Sequence, residues 1–288
     1  MKRPFIWSVL FSLAFMTFVH PVAMRAGSLD ANTLTAWDAY LQLASNRMEQ
    51  RLTPSQTFLW VDERPDRVAR VRAGEIVVSP VTLQNTRRVP SGLIHDWISA
   101  AFIEHATVKD VLDVVRNYGR YKDFYQPTVI DSRAIAVSES TDRFSMRLIN
   151  KSLLLSTAFD VDYESCYVQL DAARGYSISR STRIREIEAY GTADQRLLNE
   201  GEGHGFIWRL FSIMRYVERD GGIYIELEAI GLSRDIPASL QWLIEPMVRR
   251  IARGSLSTSL RQTESAVRSR LDLFARGPMS AGIQDKRK

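Results

Sequence analysis

At 288 residues and 45% hydrophobic content, the chain is long enough for one large domain or two small ones and too apolar for a disordered polypeptide. The formal net charge is +5, but Lys2, Arg3 and Arg25 stand in an acid-free N-terminal stretch, so the charge without residues 1–26 is +2 (5 − 3 = 2). A charge that mild gives no basis for a nucleic-acid partner, and the single cysteine, Cys166, excludes an intrachain disulfide.

The chain opens with a basic start at Lys2 and Arg3 and the apolar run FIWSVLFSLAFMTFV from Phe5 to Val19, followed by the small residues Ala23 and Ala26. This is a secretory signal pattern, short for a membrane span. Pro21 and Met24 stand near the two alanines where a small residue would favour cleavage, which leaves the cut site open, and an uncleaved membrane anchor remains an alternative. No cysteine near the junction supports a lipoprotein. Residues 1–26 are expected to be a signal peptide, and the address periplasmic or secreted.

Residues 27–90 read as an extension. DANTLTAWDAYLQLASNRMEQRL carries Leu34, Trp37, Tyr40, Leu41 and Leu52 at helical spacing, with Asp30 or Asn32 available as a cap. Short extended pieces are expected at 57–61, 68–72 and 75–81, punctuated by Pro65 and Gly74. A helix and a small strand unit of this size have too little core to stand alone and are expected to pack on the main domain.

That main domain is expected over 91–276, with a tail at 277–288. LIHDWISAAFIE is a long extended run. Thr107 with Asp110 forms a capping-box pattern ahead of Val108, Val111, Leu112 and Val115, which have the helical period. RYKDFY reads as a second short helix, stopped by Pro127. Strands are expected at 128–137, 142–150, 153–168, 175–189, 204–217 and 222–232, and short links between them imply an antiparallel meander.

In FDVDYESCY the apolar-side residues Phe159, Val161, Tyr163 and Ser165 alternate with Asp160, Asp162 and Glu164, and Arg183 and Arg185 on the next strand can meet that acidic face. Asp220-Gly221 suits a two-residue turn with φ > 0. That turn sets Arg215 opposite Glu226, Val217 opposite Tyr224, Tyr216 opposite Ile225 and Met214 opposite Leu227. One face of the hairpin is then apolar and the other, carrying the ion pair, is expected to be wet. Pro237 behind Asp235 opens a last long helix with a broad apolar stripe, loosened at Pro246 and Gly254. The expected class is α+β, a curved antiparallel sheet wrapped around a long C-terminal helix, and such an arrangement leaves room for an apolar ligand.

This order, together with VKDVLDVVRNYGRYKDFYQPTV and GFIWRLFSIMRYVERDGGIYIELEAIGLSRDIP, resembles the START-like, or SRPBCC, helix-grip superfamily over residues 91–276, in particular its exported bacterial members of unassigned function. The resemblance implies a hydrophobic pocket between sheet and C-terminal helix. It implies a hydrophobic small molecule or lipid as partner, with lipid transfer and transient membrane contact as one version of that role and a cyclase or aromatase as the alternative. It brings no catalytic motif that can be placed here residue by residue.

Candidate lining residues come from the register and the helix stripe: Trp208, Met214, Tyr216, Ile225 and Leu227 from strands, and Leu243, Met247 and Ile251 from the helix. Asn150, Ser212 and Arg180 are polar candidates. Arg180 shares parity with Tyr176 and Ile178 and would hold a carboxylate or phosphate if inward, whereas a bulge would turn it out. Tyr121, Phe124 and Tyr125 are candidates to gate the pocket. His95, His105 and His204 have no metal-ligand spacing, GEGHG opens a strand rather than a helix, and no nucleophile elbow, CxxC or phosphate-loop motif occurs, so no cofactor or metal is expected.

Overall fold

The computed structural model describes residues 29–82, 86–151, 156–236 and 238–275, except the side chains of 150, 151, 156, 157, 238–245, 247, 248, 274 and 275. The expected signal segment and the C-terminal tail lie outside the described residues. So do Pro237 and the side chains of Asn150, Leu243 and Met247.

The long strands β3 (Gly92–Glu104), β4 (Val129–Ala136), β5 (Asp142–Lys151), β6 (Ser156–Gln169), β7 (Arg174–Glu188), β9 (Arg209–Arg219) and β10 (Gly222–Arg234) share one antiparallel sheet with the short β1 (Val77–Pro80), β2 (Thr86–Val89) and β8 (Arg196–Leu197). The main strand order is β1-β3-β10-β9-β7-β6-β5-β4, with β2 on β3 and β8 on β7. The first long strand therefore pairs with the last, and the other long strands follow outward from β10 in the order β9, β7, β6, β5 and β4.

The hairpin register is the one its turn dictates. Asp220 (φ 57°) and Gly221 (φ 78°) both take positive φ, and Arg215 faces Glu226, Tyr216 faces Ile225 and Met214 faces Leu227. Such a turn keeps the twist of the two strands matched. At the β3–α3 junction Thr107 caps α3 (Val108–Val115) through the reciprocal bonds with Asp110. The short α4 (Tyr121–Phe124) comes next. The last helix, α5 (Ala238–Ala275), runs 38 residues through Pro246 and Gly254 and lies against β1, β3, β10, α3 and α4. A large antiparallel sheet curved about one long C-terminal helix is the helix-grip fold.

Over β3, β10 and β9 both faces of this sheet are covered, which corrects the expectation of one wet face for the hairpin. The face turned away from α5 is overlaid by α1 (Ala31–Gln50), the loop at 58–61 and α2 (Pro65–Arg72). Asp30 caps α1, its Oδ1 accepting from Thr33 N at 2.8 Å. The buried stripe of α1 is Thr33, Trp37, Tyr40, Ala44 and Met48, while Leu52 is exposed. Trp37, Tyr40, Ala44 and Met48 meet Ile94, Ile98 and Phe102 of β3, Ile213 of β9 and Ile230 of β10 in one core cluster. Full burial of each large side chain contributes roughly 1.5–3 kcal/mol. Two expected extended pieces differ. Residues 58–61 lead into a single 3-10 turn at Val61–Glu63, and 68–72 belongs to α2 with Pro65 at its first turn, a position that favours proline.

The hairpin's ion pair lies under this layer. Arg215 is 1% exposed and Glu226 0%. The Arg215 guanidinium stands 3.0 Å from Glu226 Oε2 and 3.3 Å from Glu228 Oε2, and Glu226 Oε1 accepts from Val61 N at 2.8 Å. Arg47 reaches in from α1 to Glu228 Oε1 (2.9 Å) and Asp96 Oδ2 (2.8 Å), and Tyr40 donates to the same Asp96 oxygen at 2.7 Å. Burial, reinforced by the Glu228 charge, pushes the Asp96 carboxyl up to about 7. Further along the same face the strand charges stay near solvent and pair as expected, Arg183 with Asp162 (2.6 Å) and Arg185 with Asp160 (2.8 Å).

Candidate functional site

On the α5 side, the sheet splits into a filled part and an open part. Near the hairpin, Tyr216, Ile223, Ala101 and Ile103 pack with Val111 of α3 and Leu260 and Val267 of α5. Tyr216 reaches across Gly175 to Gln169 Oε1 at 3.2 Å, and a Cβ on Gly175 would stand 2.5 Å from the Tyr216 hydroxyl. Glycine is what lets that ring lie against the strand.

Beyond this plug the floor of the sheet turns to serine. Ser165 of β6 is opposite Ser179 of β7, which is opposite Ser212 of β9, and Ser177 lies between Tyr167 and Met214. Small side chains at the middle of a concave sheet cannot reach α5, and a cavity of about 240 Å³ remains between them. Its walls are Phe144, Met146 and Leu148 of β5, Tyr163 and Tyr167 of β6, Tyr121 and Tyr125 beside α4, Ile225 and Leu227 of β10, and Ser255, Ser259, Leu260, Gln262 and Thr263 of α5. Among the described residues of the lining, four tyrosines, five serines, two threonines and a glutamine stand with nine apolar residues, and none is charged. A larger depression of about 700 Å³ lies along α3, but it is wide open to solvent and edged by Lys109, Asp113, Arg116 and Glu218. The smaller space is the less open of the two and its walls are the more apolar, which marks it as the binding candidate.

Of the lining residues expected from sequence, the structure brings Met214, Ile225, Leu227 and Tyr121 to the cavity, with Ser212 and Tyr125 as its polar neighbours. The others go elsewhere. Trp208 is buried on the opposite side, in the core cluster under α1, because it precedes β9 and does not obey that strand's alternation. Tyr216 faces inward but plugs the hairpin end. Phe124 packs on that same plug, with the Arg120 guanidinium 4.8 Å from its ring centre. Ile251 lies on α5 outside the lining.

Arg180 points outward and pairs with Glu164 Oε2 at 2.6 Å. Tyr176 and Ile178, which share its parity, also face the α1 side. The register shift at Asp162/Tyr163 sets Arg180, Arg183 and Arg185 on that same outer face, so the inward residues of β7 are Ser177, Ser179 and Ser181. Cys166 is exposed on the outer side of β6, and His95 is half-buried with Nε2 2.9 Å from Ser233 Oγ.

Sequence reasoning missed the tyrosines at 163 and 167, the aromatic and aliphatic wall on β5, and the α5 hydroxyls. The first had a signal, since Tyr163 carries the same parity as Phe159 and Val161. Ser255, Ser259 and Thr263 had one too: at spacings of four they make a polar line along a helix otherwise read for its apolar stripe.

A hydrogen-bonded chain backs the wall. Arg116 grips Asp142 with Nε and Nη2, each at 2.9 Å, and Tyr118 donates to Asp142 Oδ2 at 2.8 Å. The Tyr118 and Tyr167 hydroxyls are 3.2 Å apart, and Tyr167 also lies 3.2 Å from Val115 O. Tyr121 donates to the same Val115 carbonyl. On α5, Thr263 donates to Ser259 O at 3.0 Å and stands 3.1 Å from the Tyr125 hydroxyl. Burial raises the phenols of Tyr121, Tyr125, Tyr163 and Tyr167, so all four are neutral at physiological pH. Asp142 is fully buried and Tyr118 nearly so, and neither belongs to the lining. The tyrosine–carboxylate pair here therefore sits behind the wall, out of reach of a guest.

No family model matches the chain, and no curated protein matches it. Solved structures similar to it include a STAR-related lipid transfer protein from Xanthomonas axonopodis (15% identity, 67% of this chain and 98% of that one, TM-score 0.42). Human STARD10 is similar at 9% identity over 74% and 83%, with a TM-score of 0.44. The Zhui aromatase/cyclase from Streptomyces sp. R1128 is similar at 11% over 62% and 96%, with a TM-score of 0.41. The fold assignment rests on the strand order and helix placement above, not on these likenesses.

Proposed function

We propose that this protein binds a small hydrophobic molecule in the cavity between the serine floor and α5. The observation that carries the reading is a half-enclosed space of about 240 Å³ between sheet and helix, with apolar and neutral hydroxyl walls and no charged residue among its described lining. Pockets for drug-sized ligands run to about 300–1,000 Å³. The size therefore favours a compact guest over a two-chain lipid. No described helix is long and apolar enough to cross a membrane. The apolar run from Phe5 to Val19 behind Lys2 and Arg3 supports an exported address for this activity.

The test is direct. Organic extracts of the purified protein are analysed by mass spectrometry, and saturable uptake of the apolar fluorophore N-phenyl-1-naphthylamine is titrated. The expected result is saturable uptake by the wild type that is lost in Ser179→Phe, which fills the floor. An extract that is empty in repeated preparations, together with uptake that never saturates, overturns the reading. Equal uptake by Ser179→Phe moves the site elsewhere.

A further inference from the structure

We infer that the cavity selects a neutral guest that donates a hydrogen bond from a hydroxyl group; this deepens the binding role proposed above and rests on it. The hydroxyl protons of the wall can be counted. A carbonyl oxygen only accepts, so the Tyr121 hydrogen is committed to Val115 O. Thr263 commits its own hydrogen to Ser259 O, so in the Tyr125–Thr263 contact Tyr125 is the donor. Tyr118 commits its hydrogen to Asp142, which the Arg116 fork holds as an acceptor. Tyr167 must then give its hydrogen to Tyr118 or to Val115 O. Three phenols of the lining thus have their hydrogens turned into the protein and only oxygen lone pairs left for a guest.

Two of the three converge, since the Tyr121 and Tyr167 hydroxyls share one carbonyl. A guest oxygen that brings no hydrogen would meet only lone pairs there, and buried polar atoms without partners are costly. A guest hydroxyl satisfies that cluster. Its own oxygen can in turn accept from Tyr163, which has no partner among the described residues, or from the serine floor. An anionic guest is disfavoured for a separate reason: no cation is among the described lining residues, and Arg116, in the chain behind the wall, is already spent on Asp142 and Ser138 O. In size, the space is larger than the roughly 150 Å³ that holds benzene in an engineered cavity, which suits one or two rings.

The experiment displaces N-phenyl-1-naphthylamine from the full chain at pH 7, where a phenol is neutral, with four probes: 2-naphthol, naphthalene, 2-methoxynaphthalene and 2-naphthoate. The expected order puts 2-naphthol tighter than the ether by about fivefold or more, the scale of one net hydrogen bond, with naphthoate weakest. In Tyr121→Phe and Tyr167→Phe the advantage of 2-naphthol over naphthalene should shrink while naphthalene itself holds. Equal displacement by 2-naphthol, the ether and naphthalene overturns the donor rule and leaves the binding role standing. A preference for naphthoate overturns it as well. No displacement by any of the four, with no saturable fluorophore uptake, removes the binding role and this inference together. The wild-type series needs no variant to fold.

Discussion

Replacing Arg215 with methionine tests whether the charges between α1 and the sheet act as one buried network. Arg215 touches two carboxylates, Glu226 at 3.0 Å and Glu228 at 3.3 Å. Glu228 keeps Arg47 at 2.9 Å after the change, whereas Glu226 keeps only the backbone N–H of Val61 at 2.8 Å. The cost is therefore that of one stranded carboxylate. Removing a single partner from a buried pair costs about 3–5 kcal/mol, and the loss is expected in that range at pH 8.

Urea unfolding monitored by tryptophan fluorescence at pH 8 measures the loss. Arg215→Met combined with Glu226→Gln should recover most of it, because it removes the stranded charge as well. A deficit below about 1 kcal/mol or no recovery in the double variant would refute the reasoning.

Asp96 and His95 offer an opposed pair. Burial raises the Asp96 carboxyl to about 7 and lowers the His95 imidazole to about 4. Asp96 thus withdraws stability as pH rises from about 4 to 7, and His95 adds it as pH rises from about 4 to 6.5. Relative to the wild type, Asp96→Asn should gain stability toward pH 7 and His95→Gln should lose it, as read by denaturation midpoints across that range. Thr107→Ala removes the hydroxyl that caps α3 and should cost about 1 kcal/mol in chemical denaturation without changing fluorophore uptake. A chain beginning at residue 91 lacks α1, β1 and β2 and bares Ile94, Ile98, Phe102 and Ile230. It is expected to bind anilinonaphthalene sulfonate and to lose near-ultraviolet dichroism, and a native-like spectrum would refute that.

The hairpin shows what a sequence states and what it omits. Its turn and register come from Asp220 and Gly221 because local backbone sterics decide them, and α3 comes from Thr107 and Asp110 for the same reason. What lies over the other face is not local. Arg215 opposite Glu226 reads as a surface pair on propensity alone, and only the docking of α1, from near the other end of the chain, makes it a buried one. The α1 stripe itself departs from its apolar pattern, since Thr33 and Ala44 count among its buried residues while Leu52 does not. The cavity is half legible. Met214, Ile225 and Leu227 come from strand alternation, but Arg180 is misplaced by that rule because its strand's parity is anchored on Tyr176 and Ile178. Both are apolar residues of the α1-covered face. In a sheet buried on both sides, an apolar residue no longer says which side it faces.

Double coverage also explains why the inner side can stay hollow. At about 24 cal/mol per Å³, an unfilled apolar space of 240 Å³ would cost up to about 6 kcal/mol. Burying two to four large side chains offsets that at roughly 1.5–3 kcal/mol each, and the α1 layer buries more than that in Trp37, Tyr40, Met48, Phe58, Leu59 and Trp60 alone. The serine floor lowers the cost further, because hydroxyls tolerate water where aliphatic walls do not. The outer layer therefore holds the curved strands in place without help from α5 at the sheet's centre. A side chain long enough to bridge floor and helix would close the site, which is why the short serines at 177, 179 and 212 shape it more than any of the large residues around them.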